Sequence, residues 1–200
     1  MTNSIKMDFV QDFATVDLII NSTFETRGVD AFALSLIKAE KQMRRVFTFL
    51  VFQNPAYNNG HYPDLRRTLA KNNRMYLDSF IKGVDMILSR PLSEIYGDQY
   101  VNDFADLNEF IKDRNKIFHG QITANGLSRE DLIERVNHIK NWCKNIADKL
   151  KIEIGYDGFG DSFCKTELKL TLKNMDKFDT ISKYKNFLKD ELQRPWPACA

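Results

Sequence analysis

The residues best suited to chemistry in this chain lie in one short stretch, Arg114-Asn115-Lys116-Ile117-Phe118-His119-Gly120. Arginine keeps its positive charge at any physiological pH, whereas histidine exchanges protons near neutrality. A permanent cation beside such a group suits the cleavage of a phosphodiester. With 11 arginines and three histidines in 200 residues, however, this spacing is expected by chance roughly 0.5 times. The elements that position the two residues therefore have to be considered with them.

A helix is predicted over about residues 98–119, and it should end at Gly120 because glycine readily takes the left-handed conformation that closes helices. At about 100° per residue, Asn115 falls inside a narrow apolar stripe, and Arg114 and His119 flank that stripe on opposite sides. His119 is four residues from Asn115, so the two share a face, and the helix dipole favours its imidazolium form. Unpaired charge is costly at a buried edge, so these groups should either meet partners or line a cleft. The stripe consists of Phe104, Leu107, Ile111 and Phe118.

A second predicted helix, over residues 30–52 with a cap at Asp30, carries two charges on its apolar face. Glu40 and Arg44 are four residues apart near the middle of that face. They can form a buried structural ion pair. Alternatively, Glu40 can reach across to orient Arg114, which would make one polar centre from two helices. The sequence leaves both interpretations open. The face consists of Ala33, Leu36, Ile37, Met43, Phe47, Leu50 and Val51.

The remaining patterns predict a mainly α fold with a small β element at its end. Helices are expected over about residues 7–22, over 64–89 with a break near 72–73, and over 128–150, where Ser128 and Asp131 have the spacing of a capping box. Period-two alternation at 151–154 and 168–172, around a glycine-rich turn, predicts a β-hairpin. An amphipathic helix over about 176–192 should follow. We therefore expect a bundle over residues 1–150 and a C-terminal extension over residues 151–200.

Composition limits the partners that the protein can attract at long range. The chain has 29 Lys and Arg against 27 Asp and Glu, a net charge of +2, and 43% apolar residues, enough for one domain with a sizeable core. Because the net charge is small, contact with nucleic acid requires a local basic patch. One helix offers such a run, which is otherwise a solvated face, and Lys116 lies beside the motif. The run consists of Arg66, Arg67, Lys71 and Arg74.

The cysteines and histidines suggest no metal site. Cys143, Cys164 and Cys199 are odd in number and lack metal-ligand spacing, which predicts free thiols in a reducing compartment. We therefore expect no metal and no cofactor. His61 and His138 are expected to be a loop residue and a packing residue. Because the chain shows no basic leader with an apolar run and no apolar segment of about 18 residues, we expect a cytoplasmic protein without a membrane partner.

The stretch around Arg114 resembles the signature of the HEPN superfamily (higher eukaryotes and prokaryotes nucleotide-binding). That signature is an arginine, usually a polar residue next, and a histidine after roughly four to six intervening positions. Arg114, Asn115 and His119 occupy those places. The family is a compact bundle of four or five helices with the motif late in the bundle. The resemblance, over roughly residues 5–150, therefore implies a HEPN-like bundle to which the predicted hairpin and last helix are an extension.

The resemblance also implies an activity, because many HEPN proteins are metal-independent endoribonucleases of toxin–antitoxin or anti-phage systems. His119 would transfer a proton at the ribose 2′-hydroxyl or the leaving 5′-oxygen. Arg114 would stabilise charge on the phosphoryl oxygens, and Asn115 would position the phosphate or the imidazole. Two motifs would meet across the two-fold axis of a homodimer. Some toxin members carry a modifiable tyrosine two residues after the histidine, where this chain has Gln121.

The function expected first is thus an endoribonuclease with RNA, tRNA among the candidates, as its substrate and an antitoxin or regulatory protein as a partner. A second expectation is a non-catalytic HEPN module that binds a nucleotide or a cognate protein. A third is a purely structural helical adaptor. These three interpretations differ in whether replacing Arg114 or His119 abolishes cleavage, alters binding or changes only stability.

Overall fold

A computed structural model describes residues 3–72, 74–121, 123 and 126–193, with side chains from residue 9 onward. The chain folds into a helical bundle, as predicted. Two 3₁₀ turns, Asn59–His61 and Met175–Phe178, and one π-helical turn, Leu188–Leu192, accompany the α-helices. The helices are α1 (Asn3–Ile20), α2 (Arg27–Phe52), α3 (Tyr62–Ala70), α4 (Leu77–Ile87), α5 (Leu92–Tyr96), α6 (Tyr100–Phe118), α7 (Arg129–Ile154) and α8 (Ile181–Phe187).

Helix α2 is the central element and packs against α1, α4 and α7. Every residue from Val46 to Phe52 is buried, because other parts of the chain surround this end of the helix. Aromatic rings fill the space around it. The ring of Phe49 stacks on that of Tyr156 with centroids 4.4 Å apart, and Phe47 stacks on Phe187 at 6.5 Å. These contacts join the C-terminal part of the chain to the middle of the bundle.

The start of α2 differs from the prediction. The helix begins at Arg27 after Thr26, and Asp30 lies in its first turn instead of capping it. The Thr26 hydroxyl donates a hydrogen bond to the Asp30 carboxylate at 2.7 Å. A carboxylate in the first turn also interacts favourably with the positive end of the helix dipole. Asp30 thus stabilises the helix start from one turn further inside.

The predicted β-hairpin is wrong, because the described residues contain no β-strand. Residues 151–154 continue α7 as far as Ile154, since Ile154 lies one helical turn beyond the buried Leu150 and is itself buried. Gly155 then ends the helix with a φ of 73°. Residues 168–172 form only an isolated antiparallel bridge, Leu172 with Leu88, at the end of α4. A two-residue alternation in a short segment fits the end of an amphipathic helix as well as a strand.

The other predicted boundaries hold with small shifts. The break near residues 72–73 separates α3 from α4, although Asn73 itself lies outside the described residues. Helix α7 begins with the predicted capping box, in which Ser128 Oγ accepts from the Asp131 N–H at 3.1 Å and Asp131 accepts from the Ser128 N–H at 2.8 Å. The last predicted helix is divided into a 3₁₀ turn, α8 and a π-helical turn.

The segment after α7 folds back along α2. The Gln53 side chain donates to the Cys164 carbonyl at 2.7 Å, and the Tyr57 hydroxyl donates to the Phe178 carbonyl at 2.5 Å. The division into a bundle and an extension at residue 150 stays a prediction. In the described part of the chain, no helix is long and apolar enough to cross a membrane.

Candidate active site

The end of α6 fixes the position of His119. Gly120 has a φ of 65°, and its N–H donates to the Ile117 carbonyl at 3.0 Å. The Gln121 N–H donates to the Lys116 carbonyl at 2.8 Å. These two bonds form a Schellman motif, which confirms the predicted helix end at Gly120. His119, the residue before the glycine, therefore has a defined backbone while its side chain is exposed.

A buried ion pair anchors α6 one residue before Arg114. Asp113 is 6% exposed, and the Arg135 side chain on α7 donates to its carboxylate at 2.6 Å. The Arg135 guanidinium also lies over the Phe110 ring, 4.7 Å from its centroid. Removing one partner of such a pair leaves a buried charge without compensation. The pair thus holds the rotation of α6 and with it the direction of Arg114.

The buried face of α6 differs in part from the predicted stripe. Leu107 of the stripe is fully buried, whereas Phe118 is 60% exposed. Phe110 and Asp113, which lie outside the stripe, are buried instead. Near the motif, Ile111 is half-buried against the core and Asn115 is exposed, so this end of the stripe borders an opening.

The motif residues line one cavity of about 280 Å³, which we call the motif cavity. Arg114, Asn115 and His119 contribute from α6, and Glu40 contributes from α2. Arg114 and His119 were predicted on opposite sides of a stripe, but both line this cavity because Ile111 of that stripe forms part of its wall. The remaining lining residues are Leu36, Tyr76, Leu77 and Ile111. Of these, Tyr76 and Leu77 were not singled out by the sequence pattern.

Arg114 and Asn115 are joined directly. The guanidinium donates to the Asn115 side-chain oxygen from Nε at 3.2 Å and from Nη2 at 2.8 Å. Two donors on one acceptor fix the plane of the guanidinium, and Nη1 is not used in this contact. A positive group held in place before substrate binds costs little reorganisation when negative charge develops beside it.

Glu40 is the acidic group of the motif cavity. Burial raises the pKa of its carboxyl above the ordinary value, and the negative charge of Asp78 acts in the same direction. The positive charges of Arg44 and Arg114 lower that pKa and partly offset the burial. Neither arginine forms an ion pair with Glu40 within 4.0 Å in the described part of the chain. Both arginines thus influence Glu40 electrostatically, and the orientation of Arg114 by Glu40 stays a prediction.

The predicted apolar face of α2 needs one correction. Ile37 is 50% exposed and Arg44 is exposed, so this side of the helix, which includes the half-buried Glu40, is open to solvent. The buried pair of Glu40 and Arg44 that the sequence allowed is not formed. Apolar periodicity alone does not reveal this, because the neighbouring helices leave one side of α2 uncovered.

A second cavity of about 520 Å³ adjoins the first and shares Glu40 with it; we call it the arginine cavity. Arg44 and Arg45 line it from α2, and Arg66 lines it from α3. Arg45 was missed by the sequence analysis, which considered only its neighbour Arg44. Only the position of the C-terminal segment, which lies opposite α2, indicates that both arginines face one space.

The rest of the predicted basic run does not line this cavity. Arg67 forms an exposed ion pair with Asp64 at 3.2 Å, and Lys71 is exposed. Arg74 donates to the Gln193 side chain at 3.1 Å. Lys116 is half-buried beside the motif. Of the five basic residues predicted to contact RNA, Arg66 alone therefore lines one of the two cavities.

The two other histidines lie away from the motif. His61 accepts the Asn58 N–H through Nδ1 at 3.2 Å and so helps to cap a turn. His138 Nε2 lies 3.6 Å from Asp103 and 3.7 Å from Asp106. Its ring also meets Phe110 edge-on. No group of three His, Cys, Asp or Glu residues is arranged for a metal ion within the described ranges.

Comparison with known proteins assigns the chain to a family. No curated protein and no solved structure matches the chain. Residues 20–151, well over half of the chain, match the RiboL-PSP-HEPN family. The matched region contains Glu40, Arg114 and His119, and it agrees with the HEPN resemblance of the motif. The chain is therefore a member of the RiboL-PSP-HEPN family, a HEPN domain protein with a helical bundle fold.

Proposed function

We propose that this protein is a metal-independent endoribonuclease whose catalytic residues are Arg114, Asn115 and His119. One observation carries the proposal: these three residues line a single open cavity, with Glu40 beside them. Family membership supports a nuclease-type or RNA-related role. The cavity adds a fixed cation and an exposed imidazole that a phosphodiester can reach.

The reaction that fits these groups is an attack of the ribose 2′-hydroxyl on the adjacent phosphorus. The 2′-oxygen to phosphorus bond forms, the bond from phosphorus to the 5′-oxygen breaks, and a 2′,3′-cyclic phosphate and a 5′-hydroxyl result. A base accepts the proton of the 2′-hydroxyl and an acid protonates the leaving oxygen, which an imidazole can do in either sense. Arg114 stabilises the negative charge on the phosphoryl oxygens, and Asn115 holds the guanidinium.

In-line displacement places the base and the acid on opposite sides of the phosphorus, and a homodimer supplies a second imidazole for this. The chain offers exposed apolar side chains for this next to residues of the motif cavity, because Phe118, which precedes His119, is 60% exposed and Ile37, which follows Leu36, is 50% exposed. Exposed large apolar side chains favour contact with another surface. We propose that a two-fold axis passes near this surface, so that two motif cavities face each other.

In the cell, we propose a role in phage defence or as a toxin, in the cytoplasm, with tRNA as one candidate substrate and a cognate antitoxin or regulatory protein as partner. An unregulated ribonuclease should arrest growth. Expression of the wild-type chain is therefore expected to stop growth, and expression of His119→Ala should not. Equal growth of both strains, at equal protein levels, would contradict the toxin role.

The biochemical test compares purified wild type with His119→Ala on total RNA and tRNA in the presence of EDTA. His119 is exposed, so the substitution leaves the core intact. The matched control is His138→Ala, which removes a histidine that lies beside Asp103 and Asp106 instead of in the motif cavity. Cleavage by wild type and His138→Ala, but not by His119→Ala, with 2′,3′-cyclic phosphate ends is the expected result. Absence of cutting by a folded wild-type dimer would instead favour the non-catalytic module that binds a nucleotide or a protein.

A further inference from the structure

The arginine cavity is a candidate binding site in its own right, because its cations lack acidic partners. Arg44 and Arg66 form no ion pair within 4.0 Å in the described part of the chain. The Arg66 guanidinium donates to the Tyr62 hydroxyl at 3.1 Å, and Arg45 donates to the Phe159 carbonyl at 2.5 Å. Both of these partners are neutral, so the guanidinium charges are not cancelled by them.

The acidic groups of the cavity leave it positive. Glu40 and Asp161 line it with three arginines. Asp161 Oδ1 accepts the Phe163 N–H at 3.0 Å, so this carboxylate is occupied in holding its own loop. Three arginines against two carboxylates leave an excess of one positive charge in the cavity. An anion with several acceptor oxygens therefore finds guanidinium donors here with a net attraction.

One wall of the cavity is a loop fastened to α2. Gly160, Asp161, Ser162 and Phe163 line the cavity from this side. Gln42 donates to the Asp157 carbonyl at 3.0 Å, and the Tyr156 hydroxyl donates to the Gly160 carbonyl at 2.8 Å. Together with the bond from Arg45, these contacts hold the wall before any ligand arrives, which lowers the entropic cost of binding.

Aromatic rings in the same cavity suit a nucleotide better than a bare anion. Tyr62 and Phe163 both line it, and their rings meet at right angles with centroids 4.2 Å apart. Single-stranded RNA is bound in many proteins by basic residues at the backbone together with aromatic side chains that stack on the bases. Arginines and rings in one space are the parts that such binding needs.

The arginine cavity also lies next to the motif cavity along α2. Leu36, Glu40, Arg44 and Thr48 follow one another at four-residue intervals along α2, each about 6 Å further along its axis. The first two line the motif cavity, and Glu40, Arg44 and Thr48 line the arginine cavity. A strand that lies along this side of α2 therefore passes from one cavity directly into the other.

We propose that the arginine cavity binds a nucleotide of the RNA strand next to the one that is cut, with Arg44 and Arg66 on its phosphate and Tyr62 or Phe163 against its base. This assignment rests on the proposed ribonuclease function and names how that function holds its substrate. Contacts in the arginine cavity stabilise the bound substrate and the transition state equally. Loss of Arg66 should therefore raise KM and leave kcat nearly unchanged, in contrast to loss of Arg114.

The test measures the fluorescence anisotropy of a labelled 2′-O-methyl oligonucleotide, which lacks the attacking hydroxyl and cannot be cut, against salt concentration. Arg66→Ala and its matched control Arg67→Ala each remove one positive charge from adjacent positions of α3. Arg66→Ala should weaken binding about tenfold and lower the salt slope by about 0.7. Arg67→Ala, which removes only an exposed ion pair with Asp64, should change affinity less than about twofold.

Equal losses for Arg66→Ala and Arg67→Ala would overturn the site, because they would mean that only the general charge of α3 matters. Tighter binding of a polyglutamate of equal charge, with the same dependence on Arg66, would assign the cavity to an acidic protein segment and also overturn it. The nuclease proposal is judged separately by cleavage. If the affinity for the oligonucleotide depends on Arg66 and not on Arg67, but the wild-type protein cuts no RNA, the binding site is supported and the nuclease proposal is rejected.

Discussion

The guanidinium of Arg114 rests on the side-chain oxygen of the next residue, Asn115, through two hydrogen bonds of 3.2 Å and 2.8 Å. Consecutive residues of a helix point about 100° apart, so this contact requires the long arginine side chain to bend back along the helix surface. The bend keeps the charge within the motif cavity instead of in open solvent. In the proposed reaction, Asn115 would thus act on a phosphate through the arginine as well as by its own amide group.

Replacing Asn115 tests that relationship. Asn115→Ala removes the acceptor and frees the guanidinium, which should lower kcat by about 10- to 100-fold through lost preorganisation. The free energy of unfolding should stay within about 0.5 kcal/mol of wild type, because Asn115 is exposed on a helix. Single-turnover cleavage and thermal unfolding measure the two effects. Asn102→Ala, at an exposed position on the same helix, is the control and should leave kcat unchanged.

Glu40→Gln should make the protein more stable and less active. Burial raises the pKa of Glu40 above its ordinary value of 4.5, so the unfolded chain loses this proton at lower pH than the folded chain does. The free energy of unfolding therefore falls as pH rises from 4.5 through the folded-state pKa, and glutamine removes that loss. Above this window the variant should unfold at higher temperature than wild type, while below it the two should converge.

The same variant should cut RNA more slowly, since the charge next to Arg114 is gone. Glu134→Gln, at an exposed position of α7, controls for the loss of a carboxylate. If Glu40→Gln retains wild-type kcat, Glu40 affects the stability of the fold and not cleavage.

Phe118→Asp should separate the proposed dimer. An exposed apolar side chain at a symmetric interface meets its own copy, so a charge there places two like charges together in a desolvated contact. Sedimentation velocity should then show a monomer, and cleavage should be lost with the fold intact. Val101→Asp is the matched control, because Val101 is 71% exposed at the other end of the same helix. Dissociation by Val101→Asp and not by Phe118→Asp would move the interface away from the motif.

Gly158→Ala should destabilise the loop that forms the wall of the arginine cavity. Gly158 has a φ of 88°, and an added Cβ would lie 2.6 Å from Gln42 Cγ and 3.0 Å from the Gln42 carbonyl oxygen. Backbone strain and overpacking together should cost about 2 to 4 kcal/mol of unfolding free energy. Gly160→Ala is the control, since its nearest contact would be 3.9 Å away. Similar melting temperatures for the two variants would show that the loop is free to move off α2.

The motif could be found from sequence because its information is local. Residue types at a fixed spacing, followed by a helix-ending glycine, identify Arg114, Asn115 and His119 without knowledge of their neighbours. The rotation of α6 could not be found in this way. It depends on the burial of Asp113, and an aspartate on a helix is expected at the surface until Arg135, 22 residues further along the chain, is known to pair with it.

The two neighbouring arginines of α3 show the same limit. Arg66 and Arg67 are equivalent in composition and helix position, yet Arg66 lines a cavity and Arg67 pairs with Asp64 in solvent. The difference is set by the loop at residues 160–163, which lies far away in sequence. The mistaken hairpin has a related cause, because the alternation at residues 151–154 cannot distinguish a strand from the last turn of α7.

The wall formed by residues 160–163 lies outside the part of the chain that matches the family, which ends at residue 151. The cavity with Arg114 and His119 is built entirely from residues inside it. In the proposed ribonuclease, exchange of the loop for one of another sequence should therefore change which RNA strands bind and leave the proposed catalytic residues unchanged. Substrate preference would then be separable from cleavage, and grafting one short loop would alter it.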